Sequence, residues 1–280
     1  MRRSLFFSII LLSELIYMAL FGFSEWSTTK RLTWNPGSSR NPSIAKDSGD
    51  NIHVVWYDST PGNPEIYYMK SPDGGLSWGS AKKLTSNSGQ SQYPAIAIGS
   101  NDNIHLLWCD DTPGNFEIYY MKSSNGGSSW SGAKRLTWNS GGSKYPAIVI
   151  DSYNHLHIVW EDSTPGNPEI YYKKSTDGGV SWSSTKRLTC SSSETYFPAI
   201  AIDSANNLHF IWCDNAPGNY EIYYKKGTDG GVTWSSAKRL TWNSGDSVIS
   251  AMTIDSDNNL HLVWWDNTPG NWEIYYKKGK

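Results

Sequence analysis

Five aspartates, Asp58, Asp110, Asp162, Asp214 and Asp266, follow one another at a constant interval of 52 residues. Each opens an Asp-x-x-Pro-Gly-Asn loop that closes on Asn63, Asn115, Asn167, Asn219 or Asn271. A second loop, after each Leu-Thr pair, carries an indole at Trp34, Trp138 and Trp242, with Ser86 and Cys190 at the two remaining positions. Carboxylates and amides beside an aromatic plane suit a sugar, whose apolar face stacks while its hydroxyls hydrogen-bond. Repetition would make several weak sites useful together. The same residues have a second use, because Asp and Asn bond nearby backbone amides and Pro-Gly sets a turn.

Other chemistry is sparse. Lys and Arg total 24 against 26 Asp and Glu, a net charge of −2, and the lysines are spread evenly, so no nucleic-acid surface is expected. Cys109, Cys190 and Cys213 are too irregularly spaced for a metal cluster or a disulfide framework, although a Cys190–Cys213 bridge is conceivable. Histidines recur at His53, His105, His157, His209 and His261 without a carboxylate at ligand spacing beside each, so neither a metal nor a cofactor is expected. The Asp151-Ser-Tyr-Asn and Asp255-Ser-Asp-Asn stretches have the composition of hairpin turns, not of calcium loops.

Composition points to the elements that must hold these residues. Hydrophobic residues reach only 38%, but 15 Trp, 17 Tyr and 7 Phe supply buried area, and 25 Gly and 13 Pro supply turns, a balance of short strands and not of helices. Trp26, Trp78, Trp130, Trp182 and Trp234 mark the 52-residue repeat. Each unit contains a Trp-to-Thr stretch, a short apolar run such as Pro94–Ile98, a His-to-Trp run such as His105–Trp108, and Glu-Ile-Tyr-Tyr. Four strands per unit predict an all-β fold, a five-bladed β-propeller of four-stranded antiparallel blades. The fifth copy stops after Glu-Ile-Tyr-Tyr, so residues 25 to 33, ending in Lys30-Arg31-Leu32-Thr33, are expected to complete the last blade and close the ring. Met1, Arg2 and Arg3 precede an apolar run from Ser4 to Phe23, the pattern of a secretory signal. Residues 1–24 therefore read as a signal peptide cleaved before Glu25, with an uncleaved membrane anchor over residues 4–23 as the alternative, and residues 25–280 as the propeller. This implies a secreted or periplasmic protein that meets the membrane only through an uncleaved N-terminal segment.

The turns at Ser71–Trp78, Ser123–Trp130, Ser175–Trp182 and Gly227–Trp234 resemble the Asp-box of the sialidase-type (BNR) repeat family of β-propellers, with Asn125 replacing the Asp in the second copy. The resemblance implies a structural role for Asp73, Asp177 and Asp229. Sialidases of that family clamp a carboxylate with three arginines, and here only Arg40, in Ser39-Arg40-Asn41-Pro42, takes a corresponding place. Arg31, Arg135, Arg187 and Arg239 lie on the outer Lys-Arg-Leu-Thr strand, and no copy of Glu-Ile-Tyr-Tyr is distinguished as catalytic. The expected protein is thus a non-catalytic, monomeric, lectin-like binding module with no assigned catalytic residue. Its partners would be glycans or a cell-surface or extracellular protein. A sialidase-like hydrolase is the second reading. A protein-interaction scaffold using variable positions such as Gln92, Lys144 and Tyr196 is the third.

Overall fold

The structure, a computed structural model, describes residues 26–280, apart from the side chains at positions 249 and 250. The signal segment lies outside the described residues. Among those residues there is no helix, and therefore none long and apolar enough to cross a membrane.

Two compact units divide at Trp34 and Asn35. Residues 26–34 contain no strand; Arg31 donates from Nε to the Thr33 carbonyl at 2.6 Å and lies 5.5 Å from the Trp34 ring centre.

The second unit, residues 35–280, consists of antiparallel sheets in chain order. The first contains β1 (Ser39–Lys46), β2 (Ile52–Asp58), β3 (Glu65–Ser71) and β4 (Lys82–Lys83). The next two repeat it as β5 (Ser91–Ile98), β6 (Ile104–Asp110), β7 (Glu117–Ser123), β8 (Lys134–Arg135), and as β9 (Ser143–Ile150), β10 (Leu156–Asp162), β11 (Glu169–Ser175), β12 (Lys186–Arg187). The fourth holds β13 (Thr195–Ile202), β14 (Leu208–Asp214) and β15 (Glu221–Thr228), with β16 (Thr233–Trp234) and β17 (Lys238–Arg239) both on β15. The fifth is β18 (Ser247–Ile254), β19 (Leu260–Asp266) and β20 (Glu273–Gly279). The first strands of successive sheets pack in sequence, β1 on β5, β5 on β9, β9 on β13 and β13 on β18. This is the architecture of a β-propeller.

Among the described residues the expected fourth strand of the last sheet is not present. That sheet has three strands, β20 is exposed along its whole length, and Trp26 is 98% exposed. The fourth strands are also shorter than the Trp-to-Thr stretches suggest: β4, β8, β12 and β17 span two residues each, because the preceding residues belong to the Asp-box turn.

Apolar residues face both ways on each sheet, as a sheet sandwiched between neighbours requires. Leu107, Cys109, Ile118 and Tyr120 of the second sheet pack on Leu156, Ile158 and Trp160 of the third, and the pattern recurs along the chain. A tyrosine, Tyr68, Tyr120 or Tyr172, fastens each of the first three junctions. Tyr120 bonds His105 Nδ1 at 2.8 Å, donates to the Gly178 carbonyl at 3.1 Å and meets Trp182 edge-on at 5.4 Å. The recurrent histidines therefore serve packing, and burial lowers His105 and His157 to about 4, keeping both neutral.

Candidate functional site

The repeated aspartates are buried staples. Asp110 Oδ2 accepts from Ser91 Oγ and Asn87 Nδ2, both at 2.6 Å, while its Oδ1 accepts from the Thr112 amide at 2.9 Å. Asp58, Asp162 and Asp266 are held in the same way by Ser39, Ser143 and Ser247, and Asp214 by Ser191 and the Ala216 amide. Burial alone would raise Asp58 and Asp266, but hydrogen bonds outweigh it and hold both carboxyls low. The asparagines bridge loops: Asn115 Nδ2 donates to the Asn139 and Gly141 carbonyls at 3.1 and 2.6 Å, and Asn63, Asn167 and Asn219 do likewise to their following loops. Asn271, in the last sheet, turns instead to Glu273 at 2.5 Å.

The three loop tryptophans are exposed, but their rings are already occupied. Arg135 and Lys173 lie 5.7 and 6.0 Å from the Trp138 ring centre, and Arg239 and Lys277 lie 5.8 and 5.7 Å from that of Trp242. The outer arginines pair with fully buried glutamates: Arg135 to Glu117 at 2.7 Å, Arg187 to Glu169 at 2.5 Å and Arg239 to Glu221 at 2.6 Å. Arg40 is exposed on β1 opposite Tyr57, with no companion arginine on the inner strands.

The Asp-box residues stabilise their own turns, Asp73 and Asp177 accepting from the Ser77 and Ser181 amides at 2.7 and 2.9 Å. Asn125 substitutes without loss, accepting from the Ser129 amide at 2.9 Å. In the fourth copy Gly227 removes the hydroxyl that elsewhere bonds the turn, and the chain forms the β15–β16 pair there. Cys109 and Cys190 are free thiols, with Cys190 exposed, and no metal-binding cluster of His, Cys, Asp or Glu occurs among the described residues.

What remains is a pocket on the inner strands. Each first strand carries a bulge, between Gln92 and Ala95 in β5 for example, and in the first four the bulged residue adopts a positive φ: Asn41 at 50°, Tyr93 at 52°, Tyr145 at 50° and Phe197 at 55°. A bulky side chain there costs about 1–2 kcal/mol, so three aromatics in this conformation point to a use for them. Tyr145 sits 4.4 Å from Tyr93 and 5.6 Å from Phe197, ring centre to ring centre. Tyr145 and Phe197 wall a cavity of about 660 Å³ together with Phe116, Lys144, Glu161, Tyr196 and Tyr220. They also border a second cavity of about 590 Å³ with Tyr93 and the four strand prolines Pro42, Pro94, Pro146 and Pro198.

Glu161 is the chemical centre of this pocket. It is only 6% exposed, its Oε2 has no hydrogen-bond partner, and burial raises its carboxyl to about 8 in spite of Lys144. Glu194 accepts the Tyr220 hydroxyl at 3.0 Å, and Lys144 Nζ lies 4.7 Å from the Phe116 ring centre. Burial, with Glu194 beside it, raises the Tyr196 hydroxyl to about 12.

None of the predicted site residues except Asn115 lines this pocket. The signal was present in the columns that vary. At the Glu161 position the other copies have Tyr57, Cys109, Cys213 and Trp265, and at the Tyr220 position Pro64, Phe116, Pro168 and Trp272. Lys144 and Tyr196, read only as variable scaffold positions, belong to the pocket.

Repeated antiparallel sheets with their first strands side by side define a β-propeller. Residues 65–267, well over half the chain, match the BNR repeat-like domain, and the protein belongs to that family. No curated protein matches the sequence. Among solved structures it is similar to a protein of unknown function from Dyadobacter fermentans (TM-score 0.69, 14% identity, covering 86% of this chain and 79% of that one). It is also similar to the NanB sialidase of Streptococcus pneumoniae (0.63, 12% identity, 93% and 64%) and the endo-arabinase of Bacteroides thetaiotaomicron (0.55, 17% identity, 86% and 94%).

Proposed function

We propose that the protein is a carbohydrate-binding propeller whose ligand sits in the inner-strand pocket. The observation that carries this reading is the wall of aromatic rings, Tyr93, Tyr145 and Phe197, held at positive φ beside buried polar groups. Strained rings facing a cavity supply stacking planes, and Glu161, Lys144 and the tyrosine hydroxyls supply directional partners for sugar hydroxyls. The sialidase and arabinase named among the similar structures act on glycans, which supports this ligand class. A glycan array probed at high protein density tests the reading. Binding that disappears in Tyr145→Ala is expected, and an array without signal overturns it.

Hydrolysis is the second reading, favoured by one observation. Glu161, protonated at neutral pH, lines the pocket with Tyr220, whose hydroxyl donates to Glu194, and an acid near a second carboxyl group is the pairing glycosidases use. Release of a fluorescent group from a sialoside or arabinoside, abolished in Glu161→Gln, would establish it. Binding on the array without such release fits the non-catalytic reading.

A further inference from the structure

We propose that the inner-strand pocket takes a sugar bearing a protonated primary amine, whose ammonium meets the Glu161 carboxylate inside a box of aromatic rings. This rests on the carbohydrate reading above and names the class of sugar.

Three observations converge on it. Glu161 is more than nine-tenths buried, it lines the cavity, and its Oε2 is unsatisfied. A buried carboxylate oxygen without a donor is costly, and a ligand that brings a charged donor removes that cost. The walls suit a cation. Phe116, Tyr145, Tyr196, Phe197 and Tyr220 surround the space, and Phe116 already holds the Lys144 ammonium 4.7 Å from its ring centre.

The charges have room for one more cation. The charged groups acting on Glu161 are Lys144, Glu194 and Asp162. Asp162 is committed to Ser143 and the Thr164 amide, at 2.8 and 2.9 Å. Lys144 makes no ion pair within 4.0 Å of Glu161 or Glu194 among the described residues, and its ammonium is held on Phe116, so an ionised Glu161 has no cation paired with it.

An incoming ammonium favours ionised Glu161, so binding near neutral pH transfers the Glu161 proton to buffer. An N-acetylated sugar carries no charge and leaves that proton in place.

The test is isothermal titration of the full chain with a glucosamine tetramer and with the N-acetylglucosamine tetramer of the same length, near neutral pH, in two buffers of different ionisation enthalpy. The amine form is expected to bind at least tenfold more tightly, with an enthalpy that changes with the buffer. Glu161→Gln, close in shape and free of the buried charge, is expected to abolish the preference between the two forms. Equal affinity for the two forms overturns the amine assignment and leaves carbohydrate binding standing. So does a preference that survives in both Glu161→Gln and Glu161→Ala. Failure of both tetramers and of every glycan on the array removes the carbohydrate reading with it.

Discussion

At the scale of single residues, the buried titratable groups pull the pH dependence of stability in opposite directions. Glu161 is raised from an ordinary value near 4.5 to about 8, so the folded state binds its proton more firmly than the unfolded chain does. Its contribution is fully present below about pH 4.5 and is lost as pH rises through 8. Glu161→Gln should therefore be more stable than the parent at pH 9 by a few kcal/mol, on the order of the cost of an unpaired buried charge, and nearly equal to it at pH 4, as read by chemical denaturation. His105 and His157 are lowered from 6.5 to about 4, so their contribution is present above pH 6.5 and is lost as pH falls through 4. Replacing His157 with Gln should flatten that acid limb, with the melting temperature followed between pH 7 and 4. The role of Glu161 was hard to see in advance because its position varies from copy to copy, with Tyr57, Cys109, Cys213 and Trp265 in the others, and so forms no repeated pattern. The repeated Asp58 and Asn63 sets drew the eye instead, and the structure spends them on holding loops together.

At the scale of elements, the junctions between sheets depend on closeness that few side chains permit. Gly179 has a φ of 91°, and a methyl group there would run into the Tyr120 hydroxyl. Gly179→Ala should cost ~3 kcal/mol from strain and overpacking together, whereas Gly166→Ala, at a φ of 108° with nothing within 4 Å, should show the strain alone, about 1–2 kcal/mol. Urea unfolding of the two variants separates these contributions. Trp160, fully buried against the second sheet, should cost about 3–5 kcal/mol on truncation to Ala. The strands themselves were legible because the 52-residue period repeats their apolar runs and turn residues. The bulges were not, since a tyrosine before a proline favours an extended backbone, whereas Tyr93 and Tyr145 adopt positive φ where the first strands pack side by side.

At the scale of the whole molecule, sequence periodicity prescribed a propeller and the structure has one, but the last sheet did not follow from it. Pairing β20 with residues 25–33 is a long-range contact that the repeat makes plausible without supplying an energy for it, and the fifth sheet has three strands. The pocket has the same origin. Near-identical copies build its frame, and the few positions where they differ, Lys144, Glu161, Tyr196 and Tyr220, give it chemistry in one place only. Function is thus assigned to the departures from the repeat and stability to the repeat itself. The most direct measurement is a side-by-side titration of wild type, Tyr196→Ala and Trp138→Ala with a glycan bound on the array. The inner-strand pocket predicts at least a tenfold loss for Tyr196→Ala and no change for Trp138→Ala. Unchanged binding by Tyr196→Ala with loss in Trp138→Ala would contradict it and return the site to the loop tryptophans.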